Sequence, residues 1–155
     1  AEELALSYER RLLNLSNKKK AAARPLVYFE EWDSPMITGI KWVSELIEIA
    51  GGVDVFSELS SNEAATDRIV TSQQVIKAAP DIIVASWCGK KVRPGAFKDR
   101  DGWSVMPAVT NNCIYEIKSP LILQPGPAAL TEGLDKLVKI LSTVDNCKAR
   151  RHKSF

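Results

Sequence analysis

Two stretches of the chain set indole rings beside charge: Glu30, Glu31, Trp32 and Asp33, and Trp87, Cys88, Gly89, Lys90 and Lys91. Each follows directly on a short apolar run, Leu26 to Phe29 in one case and Ile82 to Ala85 in the other. Ligands of open α/β sheets bind beyond the carboxyl ends of the strands. One such end alone reads as a solvated strand-to-helix loop; two alike read as a candidate binding face. Bond-breaking chemistry has fewer candidates. Cys88 offers a thiol, but a thiol nucleophile needs a base to activate it, and the single histidine, His152, lies in a basic tail. Lys90 or Lys91 would at best lower the thiol pKa. The three cysteines stand at irregular spacing, which gives neither a disulfide framework nor a zinc pattern. No metal site and no cofactor are expected.

The elements that must hold these groups alternate. Leu26 to Phe29, behind Pro25, suit a core strand. Ser34 and Pro35 are expected to cap and open a helix, since proline is tolerated in a first turn. Ile37, Ile40, Trp42, Val43, Leu46, Ile47 and Ile49 recur at helical spacing. Gly51 and Gly52 end that helix, which is predicted over Pro35 to Ala50. Val53 to Arg68 reads as loop with a short helical turn. Thr71 or Ser72 caps the next helix and Pro80 stops it. Asp81 to Ser86 is the clearest strand, its consecutive apolar residues suiting one covered on both faces, as in a parallel sheet. Arg93 and Pro94 lead into a weak helix ending near Arg100, and Trp103 to Met106 is a short helical or irregular piece. Cys113 to Ile117 is a third strand, broken by Ser119 and Pro120. Leu121 to Leu123 are apolar where a loop is expected, before a final helix from Ala128 to Leu141. This alternation implies a three-layer α/β sandwich with a mainly parallel central sheet. It is preceded by a helix over Ala1 to Ala23, whose narrow stripe of Leu4, Tyr8, Leu12 and Leu15 packs on one side only or bridges between bodies.

Composition removes several function classes. A chain of 155 residues at 45% hydrophobic and 26% charged can bury one real core. A net charge of +2 is too small to imply a nucleic-acid or membrane partner. The basic runs at Lys18 to Lys20 and Lys148 to Lys153 lack the interleaved aromatics of a single-strand binding platform. No apolar run is long enough to span a bilayer. The chain opens on a charged helical pattern rather than a signal peptide, as a mature secreted chain also would.

The blocks VYFEEWDSPMITGIKWVSELIEIAGG, PDIIVASWCGKK and IYEIKSPLILQPGPAALTEGL together resemble the C-terminal lobe of cobalamin-type periplasmic substrate-binding proteins. These are the helical-backbone receptors of ABC importers that carry corrinoids and ferric siderophores. The resemblance runs from about Leu4 to Leu141. It implies an interlobe backbone helix over residues 1–23 and a C-terminal α/β lobe over 24–144, while the basic run beyond reads by composition as a disordered tail over 145–155. It also implies a small-molecule metal chelate, cobalamin or a ferric chelate, held between this lobe and an N-terminal lobe outside this chain. The resemblance gives no catalysis, a periplasmic or extracytoplasmic location, and an ABC permease as partner. By position, this lobe's wall would be Glu31, Trp32, Trp87, Cys88, Lys90 and the loop Pro120 to Gln124, with Leu121 in it. A corrin is a broad, partly apolar disc with polar edges. Indole faces and an apolar loop would stack on it, while Lys, Glu and Gln meet its amides. Family receptors dock on the permease through an acidic residue on each lobe; no motif places that residue here, and Glu132 is only a candidate.

Packing competes with each of these roles. Trp42 lies on a helix stripe and reads as core, and Trp103 reads as cover for a sheet edge. Trp32 and Trp87 stand evenly between ligand and packing. Cys88 reads as a small hydrophobe, Lys90 and Lys91 as plain surface charge, and Leu121 to Leu123 fit under the last helix. Two other functions stay open: a stand-alone interaction domain that has lost its ligand, and a cysteine-dependent enzyme using Cys88.

Overall fold

The computed structural model describes residues 24–144 and positions 3, 6, 7, 9, 10 and 13. Those isolated positions are helical and exposed. Leu4, Tyr8, Leu12 and Leu15, the expected stripe of the opening helix, lie outside the described residues, as does the tail 145–155.

Strand β1 (Leu26–Asp33) organises the sheet. On one side it pairs in parallel with β4 (Ile82–Ala85), Val27 opposite Ile82 and Glu30 opposite Ala85. β4 pairs in parallel with β5 (Ile114–Glu116), which puts Ala85 opposite Glu116. On its other side β1 pairs in parallel with β3 (Val53–Asp54) and antiparallel with β2 (Met36–Thr38). The carboxyl ends of β1, β4 and β5 therefore reach one edge together. Val27, Tyr28, Phe29 and Ile82 to Ala85 have no exposed surface, as strands covered on both faces require.

Side chains alternate across a strand, and that alternation divides the core in two. Val27, Phe29, Ile82 and Val84 pack with Val43 and Ile47 of α1 (Lys41–Ile49) and Leu134 and Leu137 of α6 (Leu134–Ser142). Tyr28, Ile83 and Ala85 pack on the other face with Val75, Phe97, Trp103 and Met106. The three-layer α/β arrangement with a mainly parallel sheet is thus as expected.

The start of α1 is a correction. Ser34 and Pro35 do not open a helix; joined by a cis peptide, they turn β1 back into β2. β1 runs on through Trp32 and Asp33, which pair with Ile37 and Met36. Ile37 is therefore a strand residue, and Ile40 is the residue before the first helical turn. Gly51, at φ 100°, takes the left-handed conformation that ends such a helix.

The segment expected as loop over Val53 to Arg68 begins instead with β3, paired to β1, and two short turns, α2 (Ser57–Ser60) and a 3-10 turn over Ala65–Arg68, follow it. α3 (Ser72–Ala78) opens on a capping box: the Thr71 hydroxyl accepts the Gln74 N–H and the Gln74 side chain accepts the Thr71 N–H. Beyond β4 come 3-10 turns over Pro94–Asp99 and Trp103–Val105, then α4 (Pro107–Thr110). Trp103 packs on the face of the sheet against Tyr28, ring centres 6.1 Å apart, rather than over an edge. It is fully buried, and its indole donates to the Ser72 hydroxyl at 3.0 Å. Trp42 is half-buried and donates to the Ile122 carbonyl at 3.0 Å, which ties α1 to α5 (Ser119–Ile122). A π-helical segment, Ala129–Gly133, leads into α6. The reading of the cysteines also needs correction, because Cys113 is disulfide-bonded; Cys88 is free and exposed. Spacing along the chain does not report which sulfurs the fold brings within bonding reach. Among the described residues no helix is long and apolar enough to cross a membrane.

Candidate functional site

The site is built outward from a carboxylate inside the core. Glu30 shares the face of Tyr28 on β1 and has no exposed surface. A buried charge is costly unless paired and hydrogen-bonded, and four donor contacts meet it. The Tyr28 hydroxyl donates to Oε2 at 2.9 Å, and Arg100 reaches Oε2 and Oε1 at 2.7 and 2.8 Å. The Trp87 indole N–H donates to Oε1 at 3.2 Å. The Arg100 guanidinium lies 4.3 Å from the Phe97 ring centre and 4.6 Å from that of Trp103. Burial works against the Arg100 charge, but the Glu30 hydrogen bonds and charge outweigh it and raise its pKa. Burial, reinforced by the Glu30 charge, pushes the Tyr28 hydroxyl well above the ordinary tyrosine value.

Above this network lies the carboxyl edge of the sheet. Trp87 stacks on Phe97, ring centres 5.9 Å apart, and keeps only 7% of its surface exposed. The Lys90 ammonium sits 5.0 Å from the Trp87 ring centre and 5.6 Å from that of Trp32, and contacts Asp33 at 2.6 Å. Trp32 is half-buried, its indole N–H donating to the Ser34 carbonyl. A hollow of about 330 Å³ opens beside Trp87 and Lys90, lined also by Lys91, Glu116, Lys118 and Pro120. Glu116 accepts the Val92 N–H at 2.8 Å and meets Lys118 at 3.0 Å. The backbone hydrogen bond, against a smaller opposing effect of burial and with help from Lys118 and Lys91, lowers its pKa.

The residues singled out from sequence divide into groups. Trp32, Trp87 and Lys90 come together, and Pro120 joins Trp87 and Lys90 at the hollow. Glu31 is engaged by the buried Arg68 at 2.7 Å, which also donates to the Thr38 carbonyl. Cys88 is exposed in the turn after Trp87. Leu121 packs against the core while Gln124 is exposed. Beyond Gln124, Pro125 and Gly126 line a second groove of about 280 Å³ with Trp42, Ile49 and Leu130. Sequence reasoning placed Glu30 at a candidate strand end but not among the wall residues, and did not single out Arg100, Glu116 or Lys118 at all. A glutamate two residues after Tyr28, at the end of an apolar run, was the one local signal. Among the described residues, no cluster of His, Cys, Asp and Glu could hold a metal ion.

The mainly parallel α/β sandwich gathers aromatic and charged groups at the sheet edge beyond which such folds bind their ligands. The chain belongs to the periplasmic binding protein family, whose model matches residues 1–121. It is 24% identical over 156 aligned positions to the vitamin B12-binding protein of Vibrio parahaemolyticus serotype O3:K6 (strain RIMD 2210633). That match covers 97% of this chain and 51% of the relative. It is 29% identical over 90 residues to an uncharacterized ABC transporter substrate-binding lipoprotein, YvrC, of Bacillus subtilis (strain 168), across 56% of this chain and 27% of that one. The crystal structure of the periplasmic vitamin B12 binding protein BtuF of Vibrio cholerae matches with a TM-score of 0.66 at 20% identity, covering 93% of this chain and 54% of that one. The chain thus spans about half the length of these B12-binding proteins. The family read from the sequence blocks is borne out.

Proposed function

We propose that this chain is one lobe of an extracytoplasmic substrate-binding protein that takes a corrinoid or related metal chelate and passes it to an ABC importer. One observation carries the reading: in a chain of this family, Trp32, Asp33, Trp87 and Lys90 meet beside a hollow at the carboxyl edge of the sheet. Trp32, Lys90 and Pro120 are the foremost contacts, with Glu31, Cys88, Leu121 and Gln124 around them. A hollow of about 330 Å³ is at the small end for a drug-sized ligand, and smaller than a corrin needs for enclosure. A second lobe supplies the opposite wall, and residues 1–23 join the two. The Cys113 disulfide suits an oxidising compartment. No catalytic step and no resident cofactor belong to this reading.

Calorimetry with cyanocobalamin and with a ferric hydroxamate tests it, on this chain and on a two-lobe protein that contains it. Weak or no binding by the chain, with tight binding of either chelate by the two-lobe protein, is expected. A two-lobe protein that binds neither would leave the stand-alone interaction domain as the better reading.

A further inference from the structure

We propose that Glu30, held by Arg100, is the positioning residue of this wall: its carboxylate fixes the orientation of the Trp87 indole. The use of that wall for a ligand rests on the reading above; the orientation of the indole does not.

Trp87 lies two residues beyond the end of β4, outside the regular ladder. Its neighbours must therefore set its ring. Stacking on Phe97 at an interplanar angle of 25° fixes the plane, but a half-turn about Cβ–Cγ would keep that plane and carry the N–H to the opposite edge. A hydrogen bond is directional, and the 3.2 Å bond from the indole N–H to Glu30 removes that freedom. The acceptor is itself immobilised. Arg100 grips both carboxylate oxygens as a planar fork, and Tyr28 takes a further lone pair. Arg100 in turn lies against the rings of Phe97 and Trp103. The wall is thus braced from β1 through Glu30, and from the 3-10 turns through Arg100. Because the N–H is spent inward, Trp87 offers the hollow ring carbons and no donor. The ammonium groups lining the hollow belong to Lys90, Lys91 and Lys118.

Indole N–H resonances of the ¹⁵N-labelled chain report this directly. Trp87→Phe identifies the Trp87 signal, which should exchange with solvent at least tenfold more slowly than a free indole. Glu30→Met combined with Arg100→Met removes both charges together, so that neither is left buried alone. In that variant the Trp87 resonance should shift and its exchange quicken at least tenfold. The Trp42 indole, bound to Ile122 in the opposite layer, should keep its position and so report an intact fold. Arg100→Lys, which keeps the charge without the fork, should fall between the two. Exchange as fast as a free indole in the unmodified chain overturns the proposal, as does an unchanged Trp87 signal in the double variant. If the double variant does not fold, the unmodified chain decides. No ligand enters these measurements, so a failure to bind cyanocobalamin would count against the receptor reading alone.

Discussion

The Lys90 ammonium contacts the Asp33 carboxylate at 2.6 Å, although 57 residues separate them. The pair joins the ends of β1 and β4 across the gap between Trp32 and Trp87. Lys90 is half-exposed, so screening limits what the contact contributes. An exposed ion pair gives roughly 0.2–1 kcal/mol, and a cation over an exposed ring about 0.5–1 kcal/mol. Lys90→Ala should therefore cost about 1 kcal/mol in urea denaturation while changing the fluorescence of Trp32 and Trp87. A loss beyond ~3 kcal/mol would mean that Lys90 belongs to the core.

The Glu30–Arg100 pair behaves differently, because Glu30 has no exposed surface. Removing one partner strands the other charge, and such changes cost roughly 3–5 kcal/mol. Glu30→Met alone and Arg100→Met alone should both be severely destabilised. The double replacement should cost less than either, since two apolar side chains of similar length leave no orphan charge. Guanidinium denaturation of the three variants gives the coupling energy, and additive losses would contradict a buried, mutually dependent pair.

Gly133 lies against the Leu121 carbonyl, so a side chain there would collide with backbone. In an open helix Gly→Ala stabilises by ~1 kcal/mol. Here overpacking, which typically costs about 1–3 kcal/mol, should prevail. Gly133→Ala should lower the melting temperature, whereas Gly95→Ala, with open space around the added carbon, should leave it nearly unchanged. Equal melting temperatures would show that α5 can shift without cost.

Two carboxyls should give stability profiles of opposite slope. Burial, partly offset by hydrogen bonds from Ser44 and Phe56, raises the Asp54 pKa above its ordinary 3.8. The folded chain then holds a proton that the unfolded chain has released. Stability falls as pH climbs from the ordinary value through the raised one. Glu116 is held below its ordinary 4.5; its contribution is present above that value and fades as pH falls through the lowered one. Asp54→Asn should therefore gain on the parent as pH rises above about 4. Glu116→Gln should lose its disadvantage as pH drops below that region. Denaturation midpoints measured from pH 3 to 7 would reveal either slope reversed.

What was legible in the sequence was whatever a short window contains. Ile82 to Ala85 announce a buried strand through four consecutive apolar residues. Thr71, with Gln74 three residues on, announces a helix start. Ser34 and Pro35 misled because serine followed by proline suits both a tight turn and a helix N-terminus, and Ile37 and Ile40, three apart, favour the helical period. Only the pairing of Trp32 with Ile37 decides. The heart of the site was hidden for the same reason at longer range. Glu30 meets Trp87 across 57 residues and Arg100 across 70, and no local pattern carries that information. The structure also separates two tryptophans that looked alike: Trp87 is committed to the core network, while Trp32 keeps more of its surface.

That difference gives the last prediction. Trp87→Ala would open a cavity beside Phe97 and strip Glu30 of a donor, so its effect on binding would be mixed with a stability loss of about 3–5 kcal/mol. Trp32 is half-buried, and its N–H reaches only the nearby Ser34 carbonyl, so its removal should cost the fold far less. In a two-lobe receptor containing this chain, Trp32→Ala should weaken cyanocobalamin binding about tenfold, equivalent to ~1.4 kcal/mol, with a melting temperature close to that of the parent. Lost ring contact accounts for a figure of this size, since an aromatic pair contributes about 0.5–1.5 kcal/mol beyond the area it buries. Trp42→Ala, in the opposite layer, should lower the melting temperature and leave the affinity of the folded fraction unchanged. Calorimetry below the melting transition separates the two effects. Full affinity in Trp32→Ala would remove this indole from the wall and move the binding face toward Pro120 and the hollow beside it.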